Sequence, residues 1–179
     1  RDLIRRLNLA AVTVLNNEKG VLPIHPDVKK VAVLTVGKAK ELEAFTNELK
    51  KYVEVHTFEL GKQMPDSLQQ KLRDSLSAYR RIIVPVNEIR LAPYQSFFAK
   101  FAPQVPVVYA FFTPAKLMLQ IHRAISNASS VVLGHTDSDE VQEQIAALLF
   151  GKAAANGRLS AGIGGLFRAG AGLTVTTST

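Results

Sequence analysis

The stretch KKVAVLTVGKAKELEAFTNELKKYVEVHTF, Lys29–Phe58, holds two apolar runs with a different pattern between them. Val31–Val36 (VAVLTV) and Tyr52–Phe58 (YVEVHTF) are short and rich in β-branched residues. The first does not alternate apolar with polar, as expected of a strand covered on both faces. Between them Leu42, Phe45 and Leu49 recur at helical spacing, so one side of that segment faces a core. Strand, helix, strand within 30 residues describes a βαβ unit. Such a crossover is right-handed and makes the two strands parallel.

The same alternation continues along the chain. Arg81–Val86 (RIIVPV), Pro106–Phe111 (PVVYAF) and Ser130–Gly134 (SVVLG) are further strands. Four more helical stripes accompany them: Leu68/Leu72/Leu76/Tyr79, Tyr94/Phe97/Phe98/Phe101, Leu117/Ile121/Ile125 and Val141/Ile145/Leu148/Leu149. Asp66, and Asp137 or Ser138, stand where helix N-caps belong. Upstream, Leu3, Leu7, Ala11 and Val14 share one side of a helix predicted over Arg1–Asn16. Glu18–Gly20 then reads as a turn and Leu22–Pro26 as extended, because of its two prolines. The expected architecture is a three-layer α/β/α sandwich with a mainly parallel sheet of five or six strands, flavodoxin-like in plan. Residues 1–160 form this domain. The Gly-, Ala- and Thr-rich residues 161–179 read as a tail or linker.

Composition narrows the function classes. The 179 residues are 47% hydrophobic and 21% charged, a soluble globular balance with enough length for a real core. With no Cys, thiolate chemistry, disulfides and Cys zinc sites are excluded. No apolar run approaches the roughly 18 residues of a membrane helix, and no signal peptide is visible. The charge of +7 is spread over scattered pairs such as Arg5–Arg6 and Arg80–Arg81. Without an aromatic-interleaved basic stripe, these read as solvated surface, and no nucleic-acid partner is expected. The opening RDLIRR lacks Met, which reads as a piece of a longer polypeptide.

In an open parallel sheet, ligands bind outside the carboxyl ends of the strands. Gly37–Lys38 ends the first strand without a GxGxxG or P-loop pattern, so no nucleotide cofactor is expected. Asn87, Glu88 and Arg90 follow the third strand, and Glu88 is a carboxylate at a strand end. Its most economical role is pairing with Arg90. Glycoside hydrolysis needs two carboxyl groups, one on each side of the bond. His135 and Asp137 follow the last strand; an imidazole, a carboxylate and hydroxyls there allow acid–base chemistry, but the same residues are helix caps first. His25, His56 and His122 are isolated, and no metal site is expected. The Phe97, Phe98 and Phe101 cluster reads as core rather than as a sugar-stacking platform.

Both ends of the chain carry phrases of a known family. Val14-Leu15-Asn16-Asn17, Val21-Leu22-Pro23-Ile24 and Lys29-Lys30-Val31-Ala32-Val33 resemble the start of the second domain of family 3 glycoside hydrolases. Ala147-Leu148-Leu149-Phe150-Gly151 and Asn156-Gly157-Arg158-Leu159 resemble its close. Ser160 and the glycine-poor His135–Gln142 depart from the family pattern. The resemblance implies a C-terminal, non-barrel domain that packs on a (β/α)8 barrel and shapes one wall of a carbohydrate cleft shared with it. The nucleophilic Asp of the family lies on that barrel. β-Glucosidase-like members add an acid/base Glu from a long loop of the second domain, whereas the Val86–Tyr94 connection here is short. The pattern is thus closer to the β-N-acetylglucosaminidases, whose acid/base dyad is on the barrel. On this reading no catalytic residue is expected in the chain: no position matches that acid/base Glu, and Glu88 is the sole fallback candidate. The isolated chain is expected to be inactive, and the full protein to be periplasmic or secreted. Asn87, Glu88, Arg90, His135 and Asp137 are the candidate cleft-loop residues. The alternative is a free-standing small-ligand-binding or receiver-like module using the strand-end loops Gly37–Lys40, Asn87–Arg90 and His135–Asp139.

Overall fold

The computed structural model describes residues 2–178, so the expected helix start at Arg1 and tail end at Thr179 lie outside the described residues. Six strands form one sheet: β1 (Thr13–Asn17), β2 (Lys30–Thr35), β3 (Glu54–Glu59), β4 (Ile82–Val86), β5 (Val107–Phe111) and β6 (Ser130–Leu133), in the order β1-β6-β5-β4-β2-β3. The strands β2 to β6 are mutually parallel, while β1 runs antiparallel to β6 at the edge. Read without β1, this is the flavodoxin-like doubly wound order.

Alternate residues of the strands feed two cores. Leu34, Val84, Tyr109 and Val131 face one side, covered by α3 (Asp66–Leu76), α4 (Gln95–Ala99) and α5 (His122–Ser126). Val33, Ile83, Val108 and Val132 face the other, covered by α2 (Glu43–Leu49) and α6 (Asp139–Leu149). This two-sided burial is the reason the strand sequences do not alternate. Tyr94, Phe97 and Phe98 are buried in the first core, with the rings of Phe97 and Phe98 edge to face at 5.3 Å. They are core residues, as their helical spacing implied.

Two local readings change. The N-terminal helix, α1, stops at Ala10, and Thr13–Asn17 is a strand. Val12, Thr13 and Val14 are β-branched at two or more positions in a row and fully buried, and pairing with β6 overrides a weak 3.6-residue period. Nor is Asp66 an N-cap. Pro65 holds that place with no side-chain bond, and Asp66 is the first helical residue, where its charge favours the helix dipole. Ser138 does cap α6, its Oγ accepting the Val141 N–H at 3.4 Å.

The chain leaves α6 through a Schellman motif. Gly151, with φ +76°, donates to Leu148 and Lys152 donates to Ala147, satisfying two terminal carbonyls. Residues 161–178 contain little regular structure but return to the sheet edge. Leu173 bridges to Val14, Val175 bridges to Ala155, and Ile163 is buried.

Candidate functional site

The doubly wound order places its switch point between β2 and β4. The chain leaves β2 toward α2 on one face and reaches β4 from α3 on the other. The ladder between these two strands opens near its carboxyl end. Val36 donates to the Pro85 carbonyl at 3.0 Å, so Pro85 turns toward β2 the side of its backbone that lacks an N–H. Pairing resumes only at the bridge between Val36 and Val86.

Asn87 closes the crevice that results. Its Oδ1 accepts the Lys38 N–H at 2.8 Å and its Nδ2 donates to the Lys38 carbonyl at 3.1 Å. The side chain acts as one more rung of the ladder and occupies the place where a ligand would enter the switch point.

Glu88 is pointed along the rim. Its Oε1 lies 3.1 Å from Lys62 Nζ, in the loop after β3, and its Oε2 accepts the Ile89 N–H at 3.2 Å. The Arg90 backbone N–H and the Tyr94 hydroxyl also lie near this carboxylate. Thus Lys62, rather than Arg90, is the ionic partner. Burial pushes the Glu88 carboxyl up, but Lys62 and the two backbone N–H groups outweigh it, and the net shift is downward. Burial, followed by the nearby Glu88 charge, raises the Tyr94 phenol. A carboxylate held ionised in this way is suited to holding a hydrogen-bond donor, not to giving up a proton near neutral pH. Because the folded-state pKa is depressed, Glu88 stabilises the fold above its ordinary value of 4.5, and that contribution is lost as pH falls through the folded value. Glu88→Gln is therefore expected to melt below wild type at pH 7, with the two curves drawing together as pH falls below 4.5 and through the lower folded value. A gap that stays constant down to pH 3 would show that the ionised form is not what matters.

His135 sits at the end of β6 with φ +68° and is half-buried. Burial lowers its pKa, against a smaller opposing influence of the Ala11 carbonyl. Asp137 is exposed, and its backbone carbonyl accepts from Gln142 Nε2 at 2.8 Å. Among the described residues no ion pair joins His135 to Asp137. β5 lies between the two candidate loops, which places them about 10 Å apart at ordinary strand spacing. The fold brings Asn87, Glu88 and Lys62 together and keeps His135 apart from them.

Two features were missing from the sequence reading. Gln120 clamps the loop after β4, its Oε1 accepting from Leu91 at 2.8 Å and its Nε2 donating to Ile89 at 3.2 Å. His56 lies between the Glu54 carboxylate and the Tyr79 hydroxyl, the latter at 2.6 Å. The Glu-x-His spacing on one strand face was its only signal. No group of three or more potential metal ligands occurs among the described residues. No helix there is long and apolar enough to cross a membrane.

The same end of the sheet carries exposed apolar side chains. Ile89 follows β4, Leu119 lies in the 3₁₀ turn after β5 (Ala115–Ile121), and Leu68 is in the first turn of α3. Leu3, Ile4 and Leu7 are exposed on α1, and Ile4 stands beside Ser138 and Glu140 at the start of α6. Among the described residues, the remaining exposed large hydrophobic, Leu173, bridges to Val14 at the sheet edge.

Models of known protein families give no match to this chain, and neither do curated proteins. Solved structures do match. A family 3 β-N-acetylglucosaminidase from a Paenibacillus species aligns at 15% identity over 86% of this chain and 31% of its own, with a TM-score of 0.66. A β-glucosidase from Listeria innocua aligns at 14% identity over 89% and 26%, with a TM-score of 0.66. A fungal multi-domain β-N-acetylglucosaminidase of family 3 aligns at 18% identity over 85% and 18%, with a TM-score of 0.61. The chain spans only 18–31% of the length of these three proteins. At such identities the likeness establishes the fold: this chain has the fold of the C-terminal α/β domain of family 3 glycoside hydrolases.

Proposed function

We propose that the chain is the accessory C-terminal domain of a family 3 β-glycosidase, not catalytic alone. It would pack on a (β/α)8 barrel and shape one wall of a cleft for terminal β-N-acetylglucosaminides or β-glucosides. The observation that carries this reading is the structural likeness that takes in most of this chain but a third or less of each enzyme. The carboxyl-end face supports it, because exposed apolar side chains grouped on one face favour a partner surface. So does Glu88, a lone ionised carboxylate where hydrolysis needs an acid and a base or nucleophile. The short Val86–Tyr94 connection favours the β-N-acetylglucosaminidase type. Asn87, Glu88, Arg90, His135 and Asp137 would form the rim that faces the sugar, and the full protein would be exported.

The isolated chain should not release nitrophenol from nitrophenyl N-acetyl-β-glucosaminide or nitrophenyl β-glucoside. Turnover that survives purification would overturn the reading. In the polypeptide joined to its barrel, amides of residues 2–10 and 87–91 should exchange at least ten times more slowly than in the isolated chain. Unchanged exchange would show that this face is not the one covered.

A further inference from the structure

At the opposite end of the sheet, a cleft of about 500 Å³ opens beside the amino ends of β4, β5 and β6. This is within the usual size range for small-molecule sites. Phe101, Val105 and Tyr109 give it an apolar lining, and Arg81, Lys19 and Glu18 are its charged groups. Arg81 is not fully employed by the fold. Its Nη1 donates to the Arg80 carbonyl at 2.8 Å, while Nε is buried with no hydrogen-bond partner. A buried donor without an acceptor is costly and needs a reason. Burial, and then the like charge of Arg80, lower the pKa of this guanidinium, so an anion beside it would relieve both. Lys19 adopts a left-handed backbone, φ +53°, uncommon for a residue with a side chain.

We propose that this cleft binds a small organic carboxylate, its apolar body against Phe101, Val105 and Tyr109 and its carboxylate on Arg81, with Lys19 beside it. The planar guanidinium fork matches a carboxylate, which would sit on its outer Nη nitrogens. Arg81 and Lys19 set against Glu18 leave one net positive charge, which suits a monoanion over an inorganic dianion. The apolar lining requires an organic body. The site stands at the other end of the sheet from the proposed barrel contact and is tested without reference to it.

The test is titration of the 179-residue chain with benzoate, followed by amide chemical shifts. Benzamide is the neutral isostere and inorganic phosphate the bodiless anion. Benzoate should shift the amides of 18–21, 101–107 and 127–129 saturably. Arg81→Gln should weaken it at least ten-fold and Arg81→Lys by several-fold, with unperturbed spectra elsewhere reporting that both variants fold. Equal binding of benzamide would overturn the carboxylate. Equal binding of phosphate would overturn the organic class, and undiminished binding by Arg81→Gln would overturn the assignment to Arg81. Absence of any saturable shift would overturn the site.

Discussion

Gly157→Val should lower the melting temperature by roughly 5–10 °C, the counterpart of about 2–3 kcal/mol of overpacking in a chain of this size. A Cβ at Gly157 would stand 2.5 Å from the Val12 carbonyl oxygen, 2.7 Å from Thr13 Oγ1 and 2.8 Å from the Ala11 carbonyl oxygen. Two of these neighbours are backbone and cannot swing aside. They belong to the segment that leads into β1, where the Gly157 N–H also donates to Val12 at 3.2 Å. The substitution would therefore push the edge strand off the sheet instead of merely crowding a loop. Gly165, with nothing within 4 Å of an added Cβ, provides the control: Gly165→Ala should melt within about 1 °C of wild type. Thermal melts followed by circular dichroism decide the matter. A Gly157→Val protein that melts with wild type would mean that the close approach does not hold β1 in place.

Gln142→Leu should cost about 2–3 kcal/mol, seen as a lower urea midpoint with an unchanged slope. Gln142 is completely buried yet makes three hydrogen bonds. Its Oε1 accepts the Phe45 N–H at 3.0 Å, and its Nε2 donates to the carbonyls of Glu41 and Asp137 at 2.9 and 2.8 Å. Phe45 is the third residue of α2, and its N–H has no intrahelical partner. The residue that should cap it, Leu42, has no side-chain acceptor. Gln142 thus caps α2 from another helix and ties down the loop after β6 with the same amide. Leucine fills the space but strands the Phe45 donor in the core. Gln142→Glu should cost more, since a carboxylate cannot donate to either carbonyl and would bring a charge into the core. If Gln142→Leu unfolds at the wild-type midpoint, the trans cap contributes nothing.

Both residues show why only part of this molecule could be read in advance. The Val31–Val36 and Arg81–Val86 runs declare buried parallel strands because each covers two cores, and that demand is written locally in consecutive apolar residues. Asn87 and Glu88 could be placed at a strand end for the same reason. Their partners could not. Lys38 is 49 positions from Asn87, and Lys62 comes from the loop of another strand. Arg90, two residues away, was the nearer choice, and proximity along the chain misled. Gln142 sat in a helical stripe as an unremarkable polar residue. Asn156-Gly157 read as a turn, and nothing nearby in sequence announced the carbonyls of Ala11 and Val12 above it.

By itself, the sequence determined the βα alternation, the parallel sheet and its two covering layers, because hydrophobic period and turn chemistry act over a few residues and oppose other choices locally. It also determined which loops stand at the carboxyl end. Only the tertiary structure decided that residues 13–17 join the sheet as a strand, since an edge strand exists only where β6 offers it a partner. Likewise, it alone decided that Asn87 fills the switch point, that Lys62 holds Glu88 ionised and that Arg81 is left with a buried donor unpaired. Each of these rests on groups far apart in the chain, whose interaction energies depend on distances of a few ångströms that no local pattern encodes.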